Sequence, residues 1–470
     1  MRLPCRRAYL PAALLTLAAC NQGDALTEPA VPPGAAVIST NITSDRTLYK
    51  DTTYTLSGFV QVTNGATLTI QPGTVIKGDY TTVGSSLFIT RGARIQAVGT
   101  AAAPIVFTSS QPVGQRLAGD WGGIIIIGNG IINRADPVIL EGTGTGATNP
   151  QQKYSAGTNN DDNSGTLKYV RIEFAGYATA TDQELNSLTL AAVGRGTTIE
   201  YVQTLSGLDD SFEFFGGAVD ARHLVSYESG DDHFDMSEGY QGRLQYLISY
   251  QSAKPAIRPG AGNASSDPQA IENDGCAGTG CAAGQNSTPF TTPVVANFTL
   301  VGPGAGTDID ATSGGYGMIL RRGTGGYYVN GVLARFPKGA LGLRDTASTR
   351  VRLTDGLLDL RHILVVETPS LFTTASGGFV LSDSVTRNIV RDAGASAASL
   401  FTTFSLPAST TASFDWTPTA TSPITTGGLQ TFSGNLATAA GTFVMPRAYR
   451  GAAAPGGTKW WAGWTSYAKN

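Results

Sequence analysis

Ile199-Glu-Tyr-Val-Gln-Thr204 returns 22 residues later as Ala221-Arg-His-Leu-Val-Ser226, and 23 residues after that as Leu244-Gln-Tyr-Leu-Ile-Ser249. Leu167-Lys-Tyr-Val-Arg-Ile172 is an upstream copy, and Leu360-Arg-His-Ile-Leu-Val365 resembles it far downstream. A repeat of this length built from short β-prone runs reads as one turn of a solenoid. Three strands are joined by bends, and each coil buries its apolar face only against its neighbours. Equivalent residues then stack about 4.8 Å apart, which predicts a core ladder of Val170, Val202, Leu224 and Leu247. The expected fold is all-β, a right-handed parallel β-helix with loop insertions and a capped C-terminus.

The rest of the chain agrees with that reading. Runs such as Ala66-Thr-Leu-Thr-Ile70, Ser86-Leu-Phe-Ile-Thr90 and Pro104-Ile-Val-Phe-Thr108 are strand-length and are broken by Gly, Asn and Pro. No helical period separates them, which argues against βαβ units. Charged residues make up only 14% of the chain while Gly reaches 59 of 470, a composition suited to short strands and tight turns. The formal net charge is −3 and becomes more negative once Arg2, Arg6 and Arg7 are removed. Nucleic acid is therefore not expected as a partner, nor a bare anionic lipid surface.

The N-terminus carries Arg2, Arg6 and Arg7 before an apolar run from Ala8 to Ala19, the layout of an export signal too short to span a bilayer. Leu17-Ala18-Ala19-Cys20 resembles the lipobox of bacterial lipoproteins. The resemblance implies cleavage before Cys20, acylation of that cysteine and anchorage in a membrane, with Asn21 favouring the outer membrane. The expected organisation is a signal over 1–19, a flexible tether over 20–40 and the β-helix with its cap over 41–470. An exported chain also favours a loop disulfide between Cys276 and Cys281.

Gly119-Asp-Trp-Gly-Gly-Ile-Ile-Ile-Ile-Gly128, Asn163 to Gly176, Asp210-Ser-Phe-Glu-Phe-Phe-Gly-Gly217 and the end from Tyr449 to Trp464 resemble a group of proteins. These are secreted or lipid-anchored β-helix proteins of Gram-negative bacteria, mostly described as hypothetical lipoproteins. The likeness runs from about Asn41 to Trp464 and implies the fold; it implies little about activity.

The period also aligns acids. Asp209-Asp-Ser-Phe-Glu213 recurs as Asp231-Asp-His-Phe-Asp235, placing Asp209 over Asp231, Asp210 over Asp232 and Glu213 over Asp235. Like charges stacked at about 5 Å repel by on the order of 1 kcal/mol per pair in water and by more when shielded. Three arrangements relieve this: a hard cation such as Ca²⁺ on oxygen-only ligands, raised carboxyl pKa values suited to acid catalysis, or turn aspartates splayed into solvent. Asp161-Asp-Asn-Ser-Gly165 and Glu272-Asn-Asp274 read as acidic loops near the same stretch, either extending a cation site or, as is usual, serving turn chemistry. Asp210 and Asp232 are the catalytic candidates, with Arg222, Arg243 or His233 as possible basic partners by register. Paired aspartates on a β-helix wall resemble those of pectin-degrading glycoside hydrolases, and Ca²⁺ beside a basic residue resembles pectate lyases. The chain departs from both, with no Gly-His-Gly, no Arg-Ile-Lys and no clear lyase signature.

Tyr169, Tyr201, His223, Tyr246 and His362 share one repeat position, either an outward platform for sugar rings or a packing ladder. Trp460, Trp461, Trp464 and Tyr467 are expected to close the last coil. The functional expectation is a surface binding or scaffold module for polysaccharide or another cell-surface polymer. A polysaccharide-degrading enzyme and a purely structural or adhesive protein with a bound cation are the other readings, because fold alone does not fix function.

Overall fold

The computed structural model describes residues 34–309, 313–374, 377–404 and 414–467. The expected signal and Cys20 lie outside the described residues. From Gly34 onward the chain winds as a right-handed parallel β-helix. The winding starts earlier than expected: Gly34–Ile38, placed in the tether by sequence, is a strand paired in parallel with Thr52–Leu56.

One wall is a nine-stranded parallel sheet running from Phe59–Val62 through Gly123–Ile127, Leu188–Ala191, Phe212–Phe215, Phe234–Ser237 and Ile271–Asp274 to Gly339–Leu343. The other two walls form one 17-stranded sheet, because long strands such as Thr198–Leu205 bend in their middle and serve both. The bend is the aromatic position of the repeat. Tyr169, Tyr201, His223 and Tyr246 have φ of 52°, 55°, 61° and 67°, and Asn297, Asn330, His362 and Asn388 continue the series downstream. Left-handed backbone at a bulky residue costs on the order of 1 kcal/mol, which ring stacking offsets. Ring centroids lie 4.4 Å apart for Tyr169–Tyr201, 4.3 Å for Tyr201–His223 and 4.9 Å for His223–Tyr246.

The core follows the predicted register. Val170, Val202, Leu224 and Leu247 are aligned partners, the row continues to Phe298, and all are fully buried. In the nine-stranded sheet the inward row reads Leu188, Phe212, Phe234 and Ile271, while the outward row reads Phe88, Ile125, Thr189, Glu213, Asp235 and Glu272. Phe88 and Ile125 are buried together with Val138, Leu140 and Tyr154 of an insertion that covers this wall.

The C-terminal segment does not close the last coil. It lies along the flank of the solenoid, over the bend ladder. Trp464 meets Tyr169 and Tyr201 edge-on and Trp460 meets His223 edge-on. Gln245 and Asn297 donate to the Met445 and Gly451 carbonyls, and the ring of His362 is 2.7 Å from the Gly427 carbonyl. The ladder is thus roofed over rather than presented as a sugar platform. Burial, then the nearby cations Arg222 and Lys168, push the His223 pKa down to about 3, so the ring stays neutral. Among the described residues no helix is long and apolar enough to cross a membrane.

Candidate functional site

Three consecutive strands of the nine-stranded wall put Glu213, Asp235 and Glu272 in register on the outward face. The turns that lead into the first two strands carry Asp209-Asp210 and Asp231-Asp232. These turns nest closely because a Cβ on Gly230 would lie 1.8 Å from the Leu208 carbonyl oxygen, a space only glycine leaves open. The nine-stranded wall would normally be wet here, but loops enclose it. Tyr154 and Glu141 come from the insertion, and Tyr154 donates a 2.5 Å hydrogen bond to Glu238, which Arg134 also pairs. The Cys276–Cys281 disulfide closes a small loop whose Thr279 and Gly280 carbonyls accept from Arg134 Nε and the Ala135 amide, each at 2.8 Å.

The result is a pocket of about 290 Å³ whose described lining holds nine carboxylates and two guanidiniums, those of Arg321 and Arg322. It shares Glu184, Asp209 and Asp231 with an adjoining open groove of about 710 Å³. Arg321 is held by Glu272 and by Asp274 at 2.8 Å, and Arg322 also pairs with Asp274. Burial, then like-charge neighbours, raise the carboxyl pKa values of Asp209, Glu213, Asp231 and Asp235 well above the ordinary range. The same causes, with Glu184 first among the neighbours, push Glu141 up to about 8. Despite that burial, Glu213 Oε1, Asp231 Oδ1 and Asp235 Oδ1 have no hydrogen-bond partner. A buried oxygen left so is costly unless an ion or a proton meets it.

Five of the six aligned acids converge. Ligand oxygens of Asp209, Asp210 and Asp231 lie within 4.8 Å of one another, as do those of Asp210, Glu213 and Asp235. An all-oxygen set of this kind suits a hard cation such as Ca²⁺. Asp232 belongs to neither group. Its Oδ1 accepts from the Gln269 amide at 2.5 Å, and the Asp232 amide in turn donates to Asp210 Oδ1 at 2.8 Å. Asn186 caps the Asp210 amide and Gln269 caps Tyr316 in the same way. Asn186, Asp210, Asp232 and Gln269 therefore form a side-chain ladder that ties each coil to the next, and a carboxamide serves at either end. Asp232→Asn, which keeps the acceptor, is expected to leave urea stability unchanged or raise it. Asp232→Ala orphans the Gln269 amide and is expected to cost about 1–3 kcal/mol; equal losses in the two variants would exclude the capping role.

The basic partners expected by register are elsewhere. Arg222 pairs with Glu200, Arg243 pairs with Asp220, and both guanidiniums sit over Phe443, on strands of the other sheet. His233 is buried with Nδ1 2.5 Å from Ser226 Oγ, and burial pushes its pKa down to about 3. Glu141 and Glu184 carry no repeat signal because they come from insertions; Arg321 ends the Tyr316–Arg321 strand, and Glu238 follows the strand of Asp235 at a position where the preceding coil has Gly216. Glu272, expected in a loop, is a strand residue of the same row; the long excursion between Asp235 and Glu272 hides its register in the sequence.

Residues 40–405 match the family described as the pectate-lyase like beta helix domain. No curated protein and no solved structure matches the chain.

Proposed function

The chain belongs to the pectate-lyase-like β-helix family, and from that premise we propose that it is a surface binding module for polysaccharide, using Ca²⁺ held in the acidic pocket. The observation that carries the proposal is the continuity between pocket and groove through Glu184, Asp209 and Asp231. An ion on those carboxylates exposes coordination positions to a ligand lying in the groove, and sugar hydroxyls or carboxylates supply the hard oxygens such an ion takes. Tyr177 also lines the groove.

Binding is favoured over bond cleavage because the catalytic parts are engaged elsewhere. Asp210 and Asp232 each spend an oxygen on a backbone amide, and Arg321 is saturated by Glu272 and Asp274. The enzymatic alternative has one observation in its favour: Glu141, pushed up to about 8, is a carboxylic acid still protonated at neutral pH, as general acid catalysis requires. Anchorage through Cys20 in the outer membrane remains part of the proposal, and Cys20→Ser is expected to move the protein from the membrane to the soluble fraction.

The test uses the chain from Asn21 onward on a panel of neutral and uronate-containing polysaccharides, with CaCl2 or with chelator. The expected result is Ca²⁺-dependent retention with no release of reducing ends. Release that Glu141→Gln abolishes establishes the enzyme instead. Absence of both retention and release across the panel overturns the polysaccharide reading.

A further inference from the structure

We infer that the acidic pocket holds two divalent cations, with Asp210 as their shared ligand; this rests on the cation site proposed above and fixes its stoichiometry and division of labour. Oxygens bound to one Ca²⁺ at 2.3–2.6 Å cannot be more than about 5 Å apart. The converging acids meet that limit as two triads, Asp209–Asp210–Asp231 and Asp210–Glu213–Asp235, and not as one group of five. One ion cannot serve both triads, whereas two ions bridged by a common carboxylate can, as in other two-metal sites with ions about 3.5–4 Å apart.

The two positions differ in surroundings. The Asp209–Asp231 triad lies in the turns where pocket and groove meet. The Glu213–Asp235 triad lies on the strands, in the pocket and away from the groove, and Glu213, only 4% exposed, directs there an Oε1 that no protein group satisfies. Asp210 is held for bridging: its Oδ1 is fixed by the Asp232 amide at 2.8 Å, which orients the carboxylate between the two turns. Charge points the same way: with Glu238 paired to Arg134 and Glu141 protonated, seven carboxylates still face two guanidiniums, and one divalent ion compensates only part of that excess. The inner ion locks two coils together. The outer ion, open to the groove, takes the oxygen ligand.

The stoichiometry is measured on the chain from Asn21 onward by calorimetric titration with CaCl2 in metal-free buffer, checked by equilibrium dialysis. Two ions per chain are expected. Glu213→Gln and Asp235→Asn are expected to retain one ion and to weaken Ca²⁺-dependent polysaccharide retention in the groove less than the turn variants do. The turn variants Asp209→Asn and Asp231→Asn retain one ion and lose that retention. Asp210→Asn weakens both ions at least tenfold. A single ion in the wild type overturns the two-ion inference and leaves the cation reading standing; no ion overturns both. Wild-type stoichiometry decides where a variant does not fold. Where the variants fold, loss of both ions in every one of them shows a single shared site and also overturns the inference.

Discussion

Phe234→Ala is expected to lower the unfolding free energy by about 3–5 kcal/mol. Phe234 is fully buried, stacks on Phe212 with centroids 5.3 Å apart, and faces Ile271 across the next pair of strands. Backbone ladders fix the distance between coils, so neighbours cannot collapse into the space the ring leaves. Each coil depends on the two beside it, and the damage reaches Asp235 on the same strand. Val98→Ala, at a position 42% exposed, changes a side chain with no such role and should stay within about 0.5 kcal/mol. Urea unfolding compares the two. A loss below about 1 kcal/mol for Phe234→Ala would contradict the inward stack.

In chelator, the protein is expected to lose stability as pH rises from about 4.5 to about 8, and added CaCl2 is expected to flatten that slope. The carboxyls of Asp209, Glu213, Asp231 and Asp235 are held above their ordinary range by burial and mutual repulsion. A group whose folded pKa is raised contributes stability that is fully present below its unfolded pKa and is lost as pH climbs through the folded one. Glu141, moving from 4.5 to about 8, carries the window up to at least about pH 8 and alone accounts for at most on the order of 5 kcal/mol. A bound divalent ion replaces the protons as the source of compensation, so the holo protein should keep its stability at pH 8. Thermal unfolding at pH 5 and pH 8, with and without Ca²⁺, reads the effect. A metal-free melting temperature that does not fall between those pH values would show that the carboxylates reach solvent and need no ion.

Much of this architecture is legible in the amino-acid sequence. The 22- and 23-residue spacing between Ile199, Ala221 and Leu244 determined the stacking of coils, because a parallel ladder repeats its side-chain order from turn to turn. It determined the ladder Val170–Val202–Leu224–Leu247, and the placement of Asp209, Asp210 and Glu213 over Asp231, Asp232 and Asp235. Tertiary structure decided what periodicity does not encode. Asp232 turns to the Gln269 amide because a backbone donor in the next coil needs an acceptor, and only the turn geometry reveals that need. Glu141 and Glu184 reach the pocket from segments with no repeat partner, so no register points to them. Arg222 and Arg243 share the acidic coils in sequence yet stand on another wall, since a bend separates the sheets. The tryptophans of the C-terminus roof the bend ladder because its rings offer a continuous apolar stripe, a contact between residues 237 to 295 positions apart that local pattern cannot specify. Sequence by itself thus determined the order of residues along the axis; folding of the non-repeating segments against it decided which acids are enclosed, and with that where a cation can be held.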